Sequence, residues 1–399
     1  MSRAVIHPAA LSGTLAAPPS KSAAHRALIC AALADGKSRV SPLAGSADMA
    51  ATAQCLCAMG AQIAREGDAA FVEGGRCAAG AEVTLDCAES GSTLRFLLPV
   101  AAAYGLHATF VGHGRLPERP LGALADQMKA HGVSFSAGAM PFTIGGRLSP
   151  GRYELPGNVS SQFVTGLLFA LPLLDGESEI VLTSPLQSAG YVEMTLRTLQ
   201  ESGVAVTPTE NGWRVPGNQR FRAFDRTVEG DWSNAAFWLC AAAIGGTVRI
   251  TGLSNDSAQG DRTVYEILER FGADITRDAH AVCCEAAPLR AQRIDAGQIP
   301  DLVPVLAVTA AFAEGDTEIY NAARLRIKES DRLVVHGGGL RGGDAQGAND
   351  HRIVMAAAVA ALGCGEKVCV TDAHAINKSY PDFFDELNKL GGRCNVDMG

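Results

Sequence analysis

Hydrophobic and polar positions along the chain recur as one long pattern. An Ala/Leu-rich run of helical period closes on a glycine. A β-branched run follows, then a polar loop, then a second helix that ends in Gly-Ala or similar. The glycines closing the first helices are Gly36, Gly105, Gly176, Gly245, Gly315 and Gly363, spaced by 69, 71, 69, 70 and 48 residues. Those closing the second helices are Gly60, Gly132, Gly203, Gly272 and Gly391, spaced by 72, 71, 69 and 119. Two independent series sharing a period near 70 mark an internal repeat. A glycine after a helix suits a left-handed C-terminal cap.

Within each period, segments such as 178–183 (SEIVLT) and 247–251 (TVRIT) alternate like half-buried strands. Runs such as 70–73, 141–144 and 212–215 read as the last strand of a unit. The unit is therefore helix, strand, helix, strand, strand. Helices with one Ala/Leu face cover sheets, so six units predict layered α/β domains. The fifth unit is short: both glycine series lose about 21 residues in the same place. It keeps a first helix at 300–313, a strand at 317–320, a loop ending at Asp331 and a last strand at 333–336. A second helix and one strand have no sequence to form them.

Composition narrows the functional class. The 399 residues imply two or three domains, and 47% hydrophobic with 19% charged residues describes an ordinary globular chain. A net charge of −8 argues against a nucleic-acid surface, yet leaves room for a local cationic cluster. The eleven cysteines follow neither a zinc spacing nor a disulfide framework, and they read as reduced thiols. The start of the chain has no signal-peptide pattern, and the apolar runs are too short for a bilayer. A cytoplasmic protein is expected, without membrane partners. Trp213, Trp232 and Trp238 read as core residues, and the glycine-rich 337–343 as a turn after a strand, since it lacks the Lys-Ser/Thr of a phosphate loop.

The repeat shows where to look for chemistry. At the starts of the first helices stand Lys21-Ser22, Ser90-Gly91-Ser92, Ser160-Ser161-Gln162, Asp231, Asp301 and Asp350-His351-Arg352. Before the second helices stand Arg119, Ser188 with Tyr191, Asp261, Lys328 with Arg332, and Lys378. Helix N-termini offer unpaired N–H groups and a positive dipole end, and so attract anions. Ser and Asp there are ordinary caps. Cations are not: Lys21, Arg26, Arg119, Lys328, Arg332, Arg352 and Lys378 oppose the local dipole preference or crowd it. Seven such residues in register call for ligands carrying several negative charges.

At these positions the chain resembles the 5-enolpyruvylshikimate-3-phosphate synthase family over essentially its whole length. The resemblance is carried in order by 18–29 (PPSKSAAHRALI), 89–95 (ESGSTLR), 116–120 (LPERP), 159–163 (VSSQF), 299–301 (IPD), 327–332 (IKESDR), 349–352 (NDHR) and 377–383 (NKSYPDF). It implies a two-domain inverse α/β barrel of six βαβαββ-type units, three per domain, with the fifth truncated. The expected domains are 21–229, and a discontinuous one of 1–20 with 230–399. It also implies a monomer that uses no metal or organic cofactor. The implied reaction moves the carboxyvinyl group of phosphoenolpyruvate to the 5-hydroxyl of shikimate 3-phosphate by addition and elimination.

The resemblance also implies roles. Lys21, Ser22, Arg26, Ser160, Ser161, Gln162, Ser188, Tyr191, Asp301 and Lys328 would hold shikimate 3-phosphate. Lys21, Gly91, Arg119, Gln162, Arg332, Arg352 and Lys378 would hold phosphoenolpyruvate, where planar guanidinium forks suit carboxylate and phosphate. Asp301 would be the base for the 5-hydroxyl, with Glu329 and Lys21 delivering the proton to the methylene carbon. Glu89 and Arg324 depart from the family pattern and are left out of the site. Two rival readings exist. One is a phosphoshikimate-binding protein without turnover, because of the short fifth unit. The other is UDP-N-acetylglucosamine enolpyruvyl transferase, disfavoured because Ser22 follows Lys21 and 112–119 (GHGRLPER) has no cysteine.

Overall fold

A computed structural model describes residues 2–322 and 333–398. The chain divides into two compact units: a central unit, Lys21–Val228, and a terminal unit, Met1–Ser20 with Glu229–Gly399. The connections leave the terminal unit side by side, with Ser20 N–H donating to Glu229 O (2.8 Å) and Asp231 N–H to Pro18 O (2.8 Å).

The central unit carries helices α1 (Lys21–Leu33), α2 (Ala47–Ala58), α3 (Gly91–Ala103), α4 (Gly122–Ala130), α5 (Ser161–Ala170) and α6 (Ala189–Glu201). The odd-numbered helices are interior; α3 buries every residue but Ser92. The even-numbered ones are amphipathic covers; α4 buries only Leu124 and Met128, four apart on one face. The terminal unit carries α7 (Trp232–Gly245), α8 (Val264–Phe271), α9 (Val303–Ala311), α10 (His351–Gly363) and α11 (Phe383–Lys389). Its core includes Trp232 and Trp238, both fully buried, and Trp238 stacks on Phe383 at 4.6 Å.

Each unit has three sheets of one plan. The strand before a first helix lies parallel to the strand after it, and two antiparallel strands follow. Glu82–Asp86 pairs with His107–Val111, which pairs with Phe142–Gly146, which pairs with Val133–Phe135. Sequence periodicity reveals the last three of these strands; the parallel leader, EVTLD, buries only Leu85 and hides in the loop. Three sheets are completed from a distance. Leu11–Ala16 leads a sheet of the terminal unit beside Gly246–Thr251. Asp225–Thr227 leads the first sheet of the central unit beside Lys37–Ser41. Arg3–His7 sits between Val368–Thr371 and Arg393–Asp397 in the last sheet of the terminal unit.

The fifth sheet is the short one. Among the described residues it has three strands, Arg293–Asp295, Asp316–Tyr320 and Leu333–His336, where the other five repeat sheets have four. The expected first helix of this unit is a 3-10 turn, Pro300–Leu302, followed by α9, because Pro300 and Pro304 fit only a first turn.

All five glycines of the second series lie in the left-handed region, from Gly203 at φ 78° to Gly60 at φ 112°. Of the first series, only Gly36, Gly105 and Gly315 do. Gly363 is there for packing instead: a Cβ would come within 2.6 Å of Ile244 and 2.8 Å of Phe312.

Candidate active site

The central unit gathers cations around the start of α3. Ser90 caps this helix by accepting the N–H of Thr93 at 3.2 Å, and Gly91 is its first residue. A Cβ on Gly91 would lie 2.8 Å from Nη1 of Arg119 and 2.8 Å from Nη1 of Arg95. Two guanidinium groups thus converge on the positive end of a helix, at a point left open only by a glycine. Such an arrangement is suited to an anion.

Gln162, in the first turn of α5, ties the wall together: its Oε1 accepts from Arg95 Nη1 (2.8 Å), and its Nε2 donates to Ser92 Oγ (3.0 Å). Ser160 caps α5, and Ser161 is buried behind it. Lys21, the first residue of α1, pairs with Asp48 at 2.8 Å. Burial would push the Asp48 carboxyl up, but Lys21, then His25 and Arg119, outweigh it and hold it below the usual range.

Arg26 is held by bonds inside the central unit. It is 2% exposed, and three of its five N–H groups donate within the protein: to Thr195 Oγ1 (2.8 Å), Ser22 O (2.7 Å) and Tyr191 O (2.8 Å). Its guanidinium also stacks near Phe96 and Tyr191, and burial lowers its pKa to about 10. Arg26 therefore fixes the main chain at Ser22 and Tyr191, both candidate ligands. Ser188, just before α6, is buried and left-handed at φ 54°, a strained backbone for a residue with a side chain.

The terminal unit holds a second cluster. Asp350 caps α10 by accepting the N–H of Arg352 (2.9 Å), and Arg352 Nη2 reaches Asp301 Oδ2 at 2.7 Å. Ala348 and Asn349 precede it, both at φ 51°, two consecutive strained residues leading into the helix. Lys378 Nζ donates to Asn349 O at 2.6 Å. Lys328, Glu329, Arg332 and the divergent Arg324 lie outside the described residues.

The structure thus brings Lys21, Gly91, Arg119 and Gln162 together in one unit, and Asp301, Arg352 and the Asn349 loop together in the other. Sequence reasoning missed Arg95 and Asp48. Arg95 lies four residues after Gly91, one turn along α3 on the same face, so helical spacing could have flagged it. Asp48 looks like an ordinary acid in the first turn of α2, and only the tertiary fold puts Lys21 beside it.

Three-sheet units with anion-seeking helix starts place the chain in a structural class. It shares its fold with EPSP synthase from Acinetobacter baumannii (TM-score 0.83, 24% identity, all of both chains covered). It also shares it with the enolpyruvyl transferase NikO from Streptomyces tendae (TM-score 0.80, 20% identity, 100% of this chain and 99% of the other). The chain belongs to the EPSP synthase (3-phosphoshikimate 1-carboxyvinyltransferase) family, whose model matches residues 5–345 and 333–387. A 3-phosphoshikimate 1-carboxyvinyltransferase from Clostridium kluyveri is 40% identical, with 98% of this chain and 97% of that protein covered. That alignment runs over 415 positions, more than the 399 residues here, so gaps fall in this chain. The two family matches overlap over 333–345, beside the shortened fifth unit.

Proposed function

We propose that this protein transfers the carboxyvinyl group of phosphoenolpyruvate to the 5-hydroxyl of shikimate 3-phosphate, releasing phosphate, as a step of aromatic amino-acid biosynthesis. The observation that carries this is the 40% identity, over nearly the full length of both chains, to a 3-phosphoshikimate 1-carboxyvinyltransferase. The two units serve as its two domains, and it works as a cytoplasmic monomer without metal or cofactor.

Lys21, Gly91, Arg119, Gln162, Arg332, Arg352 and Lys378 bind phosphoenolpyruvate, and the Arg95–Gln162 bond holds that wall in shape. Ser22, Arg26, Ser160, Ser161, Ser188 and Tyr191, with Lys21, Gln162, Asp301 and Lys328, bind shikimate 3-phosphate, and the bonds of Arg26 to the main chain set Ser22 and Tyr191 in place. Asp301 takes the 5-hydroxyl proton as the oxygen bonds to C2 of phosphoenolpyruvate, and Glu329 or Lys21 adds a proton to C3. The tetrahedral adduct then loses phosphate from C2 and a proton from C3, restoring the double bond.

The test is phosphate release by the purified 399-residue protein with both substrates present and each omitted in turn. Release that needs both is expected. Release with either one alone, or none from folded protein, overturns the reading. Binding of shikimate 3-phosphate without release selects the non-catalytic alternative, which the three-stranded fifth sheet favours. Restoring about 21 residues after Arg332 is then the rescue.

A further inference from the structure

A row of buried polar side chains crosses three helices of the central unit. Nδ1 of His25, in α1, lies 2.8 Å from Thr52 Oγ1. Thr52, in α2, lies 2.6 Å from Thr93 Oγ1. Thr93, in α3, donates its hydroxyl to Ser90 Oγ at 2.8 Å, and its N–H to the same oxygen at 3.2 Å. None of the four residues is more than 1% exposed.

Each hydroxyl has one proton, so the row has a direction. The Thr93 proton is spent on Ser90. The 2.6 Å contact between the two threonines needs a proton between its oxygens, and only Thr52 is left to supply it. Thr52 Oγ1 also lies 3.2 Å from Asp48 O, but the shorter contact takes the proton. Nδ1 of His25 is then the donor to Thr52. Burial lowers the pKa of this ring to about 3, so at neutral pH it carries one N–H. Placed on Nδ1, that N–H is bonded, and the bare Nε2 is the nitrogen without a partner among the described residues. The opposite direction would strand a buried Nε2–H, which is rare in proteins.

Ser90 stands at the outer end of the row. Its oxygen accepts twice, so both lone pairs are taken, and its own proton has no acceptor among the described residues. Leaving a buried donor unsatisfied is costly. Ser90 is also the cap of α3, next to Gly91, where Nη1 of Arg95 and Nη1 of Arg119 converge. An anion at that point supplies the acceptor.

We infer that the Ser90 hydroxyl is a further ligand of the anion bound at the start of α3, donating its proton to an oxygen of phosphoenolpyruvate. The inference rests on the reading above, in which Gly91 and Arg119 bind phosphoenolpyruvate, and adds a neutral donor to that site. The row from His25 to Thr93 turns the donor outward.

The experiment measures KM for each substrate in the parent, Ser90→Ala and Thr93→Val. Ser90→Ala raises KM for phosphoenolpyruvate about tenfold, with a smaller change in kcat and no change in KM for shikimate 3-phosphate. Thr93→Val removes the inward neighbour of Ser90 but keeps the backbone N–H of the cap, and raises that KM less than about twofold. A parental KM in Ser90→Ala overturns the inference. So does an equal rise in both variants, which makes the stiffness of the row the cause. If Ser90→Ala does not fold, the tautomer of His25 decides, read by long-range ¹H–¹⁵N correlation on ¹⁵N-histidine-labelled parent and assigned with His25→Gln. Protonated Nδ1 is expected. Protonated Nε2 overturns the proposal, because the Ser90 proton then points inward. A parent that releases no phosphate with both substrates defeats the reaction assigned above, and calorimetric titration with inorganic phosphate then judges Ser90 by itself. Binding about tenfold weaker in Ser90→Ala than in the parent is expected, and equal binding, or none in either, overturns the donor role.

Discussion

A missing carbon at Gly91 leaves the point where two guanidinium groups meet open. Gly91→Ala puts a methyl 2.8 Å from the Nη1 atoms of Arg119 and Arg95, and flexible side-chain ends will move aside. The expected result is an intact fold with KM for phosphoenolpyruvate raised about tenfold, or ~1.4 kcal/mol of lost binding, read by steady-state kinetics. His25 makes a different prediction. It is fully buried in α1, its Nδ1 bonded to Thr52 Oγ1 at 2.8 Å, with no partner for Nε2. Burial, with Lys21 and Arg26 assisting, lowers its pKa to about 3, against the pull of Asp48. Because the folded value lies below the unfolded one near 6.5, the His25 contribution is full above about pH 6.5 and drains as pH falls towards 3. The unfolding free energy from urea titrations should fall over that window, by up to about 1.4 kcal/mol per pH unit, and His25→Gln should flatten that part of the slope. The candidate site residues stand out in the sequence because cations stand where helix dipoles disfavour them. At Arg26 the signal is incomplete: its bonds to Thr195, Ser22 and Tyr191 come from the tertiary fold, which one chain of letters does not show.

Among elements, α3 and α5 pack closely at Gly166, and a proline explains it. Pro99 lies inside α3 and has no N–H, so the carbonyl of Arg95 lacks its helical donor. Gly166 of α5 fills that gap: a Cβ there would sit 2.2 Å from Arg95 O. Gly166→Ala has backbone to collide with on one side and its own helix on the other. It should lower stability by about 3 kcal/mol or more, or prevent folding, whereas Pro99→Ala, which restores a donor, should be mild by thermal melting. Helices and the strands after them were legible because their apolar spacing is regular. The leading strands, such as Glu82–Asp86, were not, since parallel pairing with the next strand, rather than any local pattern, defines them. The first-helix glycines were read as left-handed caps, but Gly363 answers to the tight packing of α10 on Ile244 and Phe312, which only the assembled core shows.

At the scale of the whole molecule, the repeat period was enough to give six units and to locate the short one. The family matches overlap beside it, and its sheet has three strands among the described residues. Leu333 and Val334 of its last strand are exposed apolar residues. Amide hydrogen exchange should be faster in Asp316–Tyr320 and Leu333–His336 than in the equivalent strands Gly246–Thr251 and Ala281–Glu285 of the neighbouring four-stranded sheet.

The strand Arg3–His7, held between Val368–Thr371 and Arg393–Asp397, sets an order of events on the ribosome. It is made long before both of its neighbours, with the whole central unit in between. The three sheets of the central unit have all their strands once residue 227 has emerged, so that unit can fold while the rest is still being translated. Arg3–His7 must wait, unpaired, until Val368–Thr371 and Arg393–Asp397 have emerged. A nascent chain arrested after the central unit should therefore give protease-resistant fragments of 21–228, while residues 2–20 are still cleaved.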